Sequence, residues 1–216
     1  MIVYFMCVFY SQWAHRNIAP RSQEQWDAFK FCRAVKSRAV NGSLSVPFAK
    51  GPEVINQNNV GRARQVFGLF LDHKLKSMFA PNPVLIPVPS KDGLIGAQAF
   101  RSLDMLRESL QDYPKYRICP AIRFKQPLQS AFSGGPRGKG ALLPYMTITG
   151  EIPQGTIILV DDIVTSGGSL LDSYELLAKI NRAPYASIVC GRTVSDSLLD
   201  AFGDHKVEIG NQPSFL

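Results

Sequence analysis

Two adjacent carboxylates, Asp161 and Asp162, close the apolar run Ile157-Ile158-Leu159-Val160 and are followed by Ile163-Val164 and then Thr165-Ser166-Gly167-Gly168-Ser169. Like charges side by side repel, so the pair is better suited to holding a ligand than to holding the fold. Ionised carboxylates only accept hydrogen bonds, which suits the vicinal hydroxyls of a sugar. A glycine-rich turn that runs into a helix offers unpaired N–H groups and the positive end of the helix dipole, and these bind phosphate without a lysine. Thr165, Ser166 and Ser169 add hydroxyl donors, and Gly167 and Gly168 let the backbone approach closely. A hydroxyl-rich sugar phosphate answers both halves of the stretch.

The elements that must position these residues follow from periodicity. From "PNPVLIPVPS" onward, strand and helix alternate: Val84 to Val88 as a strand, "GLIGAQAFRSLDMLRESL" as a helix, and "YRICPAIRF" and "TIILVD" as strands. "SLLDSYELLAKI" then follows as a helix and "YASIVCGR" as a strand. That order predicts an α/β fold with a mostly parallel sheet flanked by helices. In such sheets ligands bind outside the carboxyl ends of the strands, where Asp161 and Asp162 fall. Between "YRICPAIRF" and "TIILVD" lies an insertion rich in glycine, proline and basic residues, and a long connection of that kind inside a domain is usually functional.

Upstream, "MIVYFMCVFY" reads as a buried strand, since it is half the length that a membrane-spanning helix requires. Ser22 with Gln25 forms a capping box ahead of Trp26, Phe29, Cys32 and Val35 at helical spacing. "NGSLSVPFAKGPEVINQNN" reads as loop with at most a short strand. Val60, Ala63, Phe67, Leu71, Leu75 and Met78 then mark one face of a second helix. The expected organisation is a basic accessory part over residues 1–83, one strand and two helices, and a core over residues 84–216 with a flexible loop at about 125–143.

Length, 216 residues, allows one sizeable core with an appended part, and 45% hydrophobic against 19% charged residues excludes a disordered chain. The net charge of +7 lies wholly in residues 1–83, which carry 11 Lys+Arg against 4 Asp+Glu, while residues 84–216 carry 13 of each. This fits either an anionic partner such as nucleic acid or a solvated basic helix face. Cys7, Cys32, Cys119 and Cys190 form no C-x-x-C pair and read as free thiols of a reducing cytoplasm, with neither zinc site nor disulfide framework. No G-x-G-x-x-G follows the first strand. "SGGPRGKGA" has Ser133 and Gly140 where a P-loop needs glycine and Ser/Thr, which excludes a nucleoside triphosphatase on this motif. His15, His73 and His205 stand apart from these segments and carry no catalytic role.

"IILVDDIVTSGGS" resembles the signature of the type I phosphoribosyltransferases. The resemblance covers about residues 84–192. It implies a type I phosphoribosyltransferase-like α/β fold with a small variable hood, built from residues 1–83 with the C-terminal tail. It further implies that Asp161 and Asp162 bind the ribose hydroxyls of 5-phosphoribosyl-1-pyrophosphate (PRPP), and that Thr165, Ser166, Gly167, Gly168 and Ser169 cradle its 5′-phosphate.

"VLIPVPSKDG" is similar to the family's pyrophosphate-binding turn, which here would be Ser90-Lys91-Asp92-Gly93, with Lys91 the cation and the next helix adding N–H donors. The family also closes a flexible loop over the reacting centre. In this chain Arg123, Lys125, Arg137 and Lys139 are the charges available to it, with Gly134, Gly135, Gly138 and Gly140 to let it open. That loop lacks the Lys/His-rich pattern of the orotate-type enzymes. It looks more like the branch related to the competence-associated ComF-type proteins, without their usual zinc-binding cysteines.

The catalytic set so implied is Asp161, Asp162, Lys91, Arg137 and Lys139. Mg²⁺ is the implied cofactor, held by pyrophosphate and ribose oxygens with waters retained and with no direct protein ligand assigned. Thr165 stands where the family's 6-oxopurine enzymes carry an acid, which disfavours a hypoxanthine-guanine enzyme. The expected activity is transfer from PRPP to a nitrogenous base that the sequence does not name, in a cytoplasmic protein with no membrane partner. Related domains often pair as homodimers, though no feature marks an interface. A PRPP-sensing regulator that touches nucleic acid, and a hydrolase of PRPP, are the competing readings.

Overall fold

The structure, a computed structural model, describes residues 1–10, 21–78, 80–129, 135–136, 138–194 and 199–210. Its elements run β1 (Ile2–Phe9), α1 (Gln23–Ser37), β2 (Ser43–Val46), β3 (Glu53–Asn56), α2 (Gly61–Ser77), β4 (Val84–Pro87), α3 (Arg101–Ser109) and β5 (Arg117–Ile118). They continue with β6 (Ile122–Phe124), β7 (Met146–Ile148), β8 (Ile157–Val164), α4 (Gly168–Ala178), β9 (Ala186–Thr193) and β10 (Phe202–Glu208). Six strands make the central sheet in the order β10-β1-β9-β8-β4-β5. Every neighbouring pair is parallel except β10 with β1. The mostly parallel sheet flanked by helices is therefore present. Its inner strands read as unbroken apolar runs because layers cover both of their faces.

One face carries α1, α2 and α3, whose Phe31, Val35, Phe67, Leu71 and Leu106 pack on Leu85, Ile158 and Ile188. The other carries α4 and the two-stranded ribbon β6–β7, with Leu170, Leu177, Ile122 and Met146 against Ile86, Leu159 and Val189. The chain leaves β4 for β5 through α3 on the first face and leaves β8 for β9 through α4 on the second. Neighbouring strands β4 and β8 thus send their connections in opposite directions, and a crevice opens at their carboxyl ends.

Several elements depart from the expectations. β1 is not part of an accessory unit: it lies inside the central sheet between β9 and β10, with Val3 beside Ser187. Residue 83 marks no break in packing, since α1 and α2 share one core with β4, β8 and β9. The segment read as loop contains the hairpin β2–β3, because Leu44, Val46 and Ile55 find a buried side. "YRICPAIRF" is two strands: Pro120, which cannot donate to a ladder, separates β5 on the central sheet from β6 on the ribbon.

The third helix starts at Arg101 rather than near Gly93. α1 has the capping box, with Ser22 and Gln25 bonded both ways, but buries Ala28, Phe31, Cys32 and Val35 while Trp26 is 43% exposed. β10, unforeseen, closes the sheet edge with alternating exposed residues. Part of the N-terminal charge is paired across the fold, with Arg64 and Lys74 buried and Lys36 and Arg38 half exposed. Lys36 pairs with Asp162, Arg38 and Arg64 with Glu108, and Lys74 with Asp204, so the basic excess binds the helices to the rest of the chain. Among the described residues no helix is long and apolar enough to cross a membrane.

Candidate functional site

β8 does not end at the acids. It runs on to Val164, with Asp161 opposite Val189 and Ile163 opposite Gly191, so the carboxylates stand on the last residues of a paired strand whose backbone is held. Asp161 Oδ1 accepts from the N–H of Asp162 at 2.8 Å, and Asp162 Oδ1 accepts from that of Ile163 at 2.6 Å. Burial, and then the charge of Asp162, push the Asp161 carboxyl up to about 8. Asp162 keeps a partner of its own: Lys36 Nζ lies 2.9 Å from its Oδ2.

Lys36 belongs to the last turn of α1, 126 residues away in sequence. Buried Arg64 of α2 aims it by donating to the carbonyl oxygens of Val35 at 2.8 Å and Lys36 at 3.2 Å, in the last turn of the helix, where carbonyls lack the usual N–H partner four residues on. Sequence reasoning missed both residues as parts of the site. The basic last turn of α1 was visible, but nothing local said that it faces an acid on β8.

After Val164 the chain turns through exposed Thr165 and Ser166 to Gly167, whose φ of 77° lies in the left-handed region that glycine adopts without strain. α4 begins at Gly168, and no side chain caps its first N–H groups. An uncapped helix start of this kind offers its N–H donors, with the dipole behind them, to an anion.

The turn after β4 is largely satisfied by itself. Ser90 Oγ donates to Asp92 Oδ1 at 2.5 Å, Asp92 Oδ2 accepts from Arg101 N at 3.0 Å, and Ser90 N donates to Ser102 Oγ at 3.1 Å. Burial opposes the charge of Asp92, but the Ser90 hydroxyl and the Arg101 N–H outweigh it and hold the carboxyl below its usual value. Asp92, though exposed, therefore caps α3, the helix end expected to face a ligand, and exposed Lys91 takes no part in these bonds, its Nζ lying 3.3 Å from the Gln129 carbonyl. Gly93 N closes the turn on Ser90 O at 2.7 Å.

One cavity of about 270 Å³ joins these parts. Asp161, Asp162, Ser169, Ser90, Lys91 and Lys36 line it, with Arg101 and Ser102 from α3 and an apolar wall that includes Val88, Phe124 and Leu128. It occupies the crevice between the carboxyl ends of β4 and β8.

The expected loop cations are placed differently. Arg123 is buried on β6 with its guanidinium 4.3 Å over the Phe100 ring, and burial lowers its pKa. Lys125 donates to the Pro144 carbonyl at 2.9 Å, along the β6–β7 ribbon. Lys139 is exposed, and Arg137 with Gly134 lies outside the described residues. None of Arg123, Lys125 and Lys139 lines the cavity. The described end of the loop is instead tied to α4, where fully buried Asp172 accepts from the N–H groups of Gly140 at 2.5 Å and Leu142 at 2.8 Å.

No protein-family model matches the sequence, and no curated protein matches it. The crystal structure of an adenine phosphoribosyltransferase is similar to the chain, with 15% sequence identity over 76% of this chain and 89% of that one and a TM-score of 0.37.

Proposed function

We propose that the chain transfers a phosphoribosyl group from PRPP to a nitrogenous base with release of pyrophosphate. The observation that carries this reading is the convergence, in one cavity, of the Asp161–Asp162 pair, Ser169 at the head of α4 and the Ser90–Lys91 turn. The ribose hydroxyls donate to Asp161 and Asp162, the Thr165–Ser169 turn donates to the 5′-phosphate, and Lys91 lies beside the pyrophosphate. Lys36 offsets the charge of Asp162, so that two neighbouring carboxylates can share one site.

In the reaction the C1′–O bond breaks with its electron pair going to pyrophosphate, the acceptor nitrogen's lone pair forms the C1′–N bond, and the base gives up a proton. The protein contributes orientation and fixed charge around a cationic sugar carbon. Mg²⁺ fits this donor set: among the described residues Asp161 and Asp162 are the only carboxylates that line the cavity, and a hard cation with few protein ligands completes its shell from phosphate oxygens and water. When bound, it neutralises charge on the leaving pyrophosphate.

The test follows pyrophosphate release from PRPP and Mg²⁺ with a panel of bases, alongside thermal unfolding. Release that depends on one base supports the transferase. Release without any base makes the protein a hydrolase, and a raised unfolding midpoint without release makes it a sensor. An unshifted midpoint at millimolar PRPP refutes the donor assignment altogether.

A further inference from the structure

Three cysteines that are scattered in sequence meet in the core. Cys7 of β1, Cys32 of α1 and Cys190 of β9 are each 0% exposed, and their Sγ atoms all lie within 4.8 Å of one another. Cys190 donates to Cys32 Sγ at 3.9 Å. The local backbone accommodates the group. Gly191 stands opposite Cys7 in the β1–β9 ladder, and a Cβ at Gly191 would overlap Cys32 Sγ, so glycine is what admits α1 so close. The β1–β10 ladder is irregular between Phe5 and Cys7, beside the same thiol. Cys119 stays outside, half-buried, with its thiol directed at the Glu151 carbonyl.

We propose that Cys7, Cys32 and Cys190 form a three-thiolate site for a soft monovalent d¹⁰ ion, Cu(I). Thiolates select such ions over hard cations. Three sulfurs at about 2.3 Å from a central metal, in one plane with it, stand about 4.0 Å apart, close to the separation found between Cys32 and Cys190. Among the described residues no histidine or carboxylate joins the group, so the four-ligand shell of a structural zinc is incomplete here. The surrounding core includes Phe31, Val35 and Ile188, and among the described residues no histidine, aspartate or glutamate joins the three sulfurs to supply the harder ligands that favour Cu(II).

Binding involves no oxidation or reduction. Each thiol that ligates Cu⁺ releases its proton to solvent, up to three per ion. Cys32 lies one turn before Lys36 on α1, so the ion would tie α1 to β1 and β9 and fix the helix that carries Lys36 to Asp162. This inference stands on the thiol geometry and does not depend on the phosphoribosyl reading.

The experiment equilibrates the reduced, full-length protein anaerobically with Cu(I) supplied as its acetonitrile complex, then dialyses it against a chromophoric Cu(I) chelator, with a parallel arm in Zn²⁺. Loading requires α1 to open from the sheet, so retention is read once it is constant. The expected result is one copper per chain, three sulfur neighbours at about 2.3 Å by X-ray absorption, and a raised unfolding midpoint. Cys7→Ser, Cys32→Ser and Cys190→Ser should each weaken retention at least tenfold, while Cys119→Ser leaves it unchanged. No retained copper, a two-sulfur shell, equal loss in Cys119→Ser, or retention of Zn²⁺ in place of Cu(I) overturns the proposal. If the serine variants do not fold, the sulfur count on the wild-type protein decides.

Discussion

Replacing Asp161 by Asn should make the protein more stable at neutral pH and unable to bind its ligand. The Asp161 carboxyl is raised to about 8 from an ordinary value of 3.8, first by burial and then by the charge of Asp162. Between those two values the folded chain holds a proton there that the unfolded chain has released, so stability falls as pH rises through that window. Each pH unit costs about 1.4 kcal/mol, and from 3.8 to pH 7 the ceiling is about 4 kcal/mol.

Relaxation and solvent entry leave about half of that, about 2 kcal/mol, or about 4–8 °C in unfolding midpoint for a chain of this length. Asn keeps an oxygen for the Asp162 N–H and carries no charge to repel its neighbour. Urea unfolding of both proteins from pH 4 to 9 should give a stability difference close to zero at the acid end that grows in favour of Asp161→Asn up to about pH 8 and is then level. A difference that does not vary with pH, or an Asn variant less stable than wild type at pH 7, would refute the reasoning.

Other perturbations separate the parts of the site. Arg64→Met removes the donors to the Val35 and Lys36 carbonyls and the partner of Glu108, and should cost about 2–3 kcal/mol in urea unfolding while weakening PRPP binding through a displaced Lys36. Lys36→Met, by contrast, removes a half-exposed ion pair and should change stability by less than about 1 kcal/mol, yet lower PRPP affinity in a thermal-shift titration.

Burial opposes the charge of Asp72, but Lys76, the Tyr116 hydroxyl and Lys115 outweigh it and hold the carboxyl down to about 2. Its contribution is full above about pH 4 and lost as pH falls through 2, so Asp72→Asn should flatten the acid limb of the stability curve. Asp172→Ala removes the buried, charged acceptor of the Gly140 and Leu142 N–H groups and should cost about 1.5–3 kcal/mol, with faster proteolytic cleavage between 125 and 143.

Periodicity and turn chemistry made the parallel sheet, the capping box of α1, the buried face of α2 and the acid-plus-glycine turn legible, because each rests on neighbours within a few residues. What could not be read depends on partners far along the chain. Lys36 became part of the site only because α1 lies across the end of β8, and a basic last turn looks the same in sequence whether it meets an acid or water. Arg123 looked like a loop cation because charge is visible in sequence and burial is not. Its place on the β6–β7 ribbon follows from a pairing, Arg123 with Thr147, that no local pattern announces. Asp92 belongs to the turn that resembles a pyrophosphate-binding segment, and the irregular stretch before Arg101 lets its side chain return to cap α3, a bond over nine residues that no local pattern announces. β10 escaped notice because an edge strand with every second residue exposed has too little apolar signal to stand out from a polar tail.

The position of β1 in the sheet bears on how the protein is made. Val3 finds its register partner at Ser187, and the other edge of the strand is covered only by Phe202–Glu208. At about 5–20 residues per second, a ribosome needs on the order of 10–40 s to supply those partners. Throughout that interval "IVYFMCVF" is an apolar strand with both ladders empty, the kind of segment that pairs with other chains. The sheet can therefore form early from β4, β8 and β9 but cannot close until β1 is recruited, and nascent chains stopped before residue 186 should aggregate through the β1 segment.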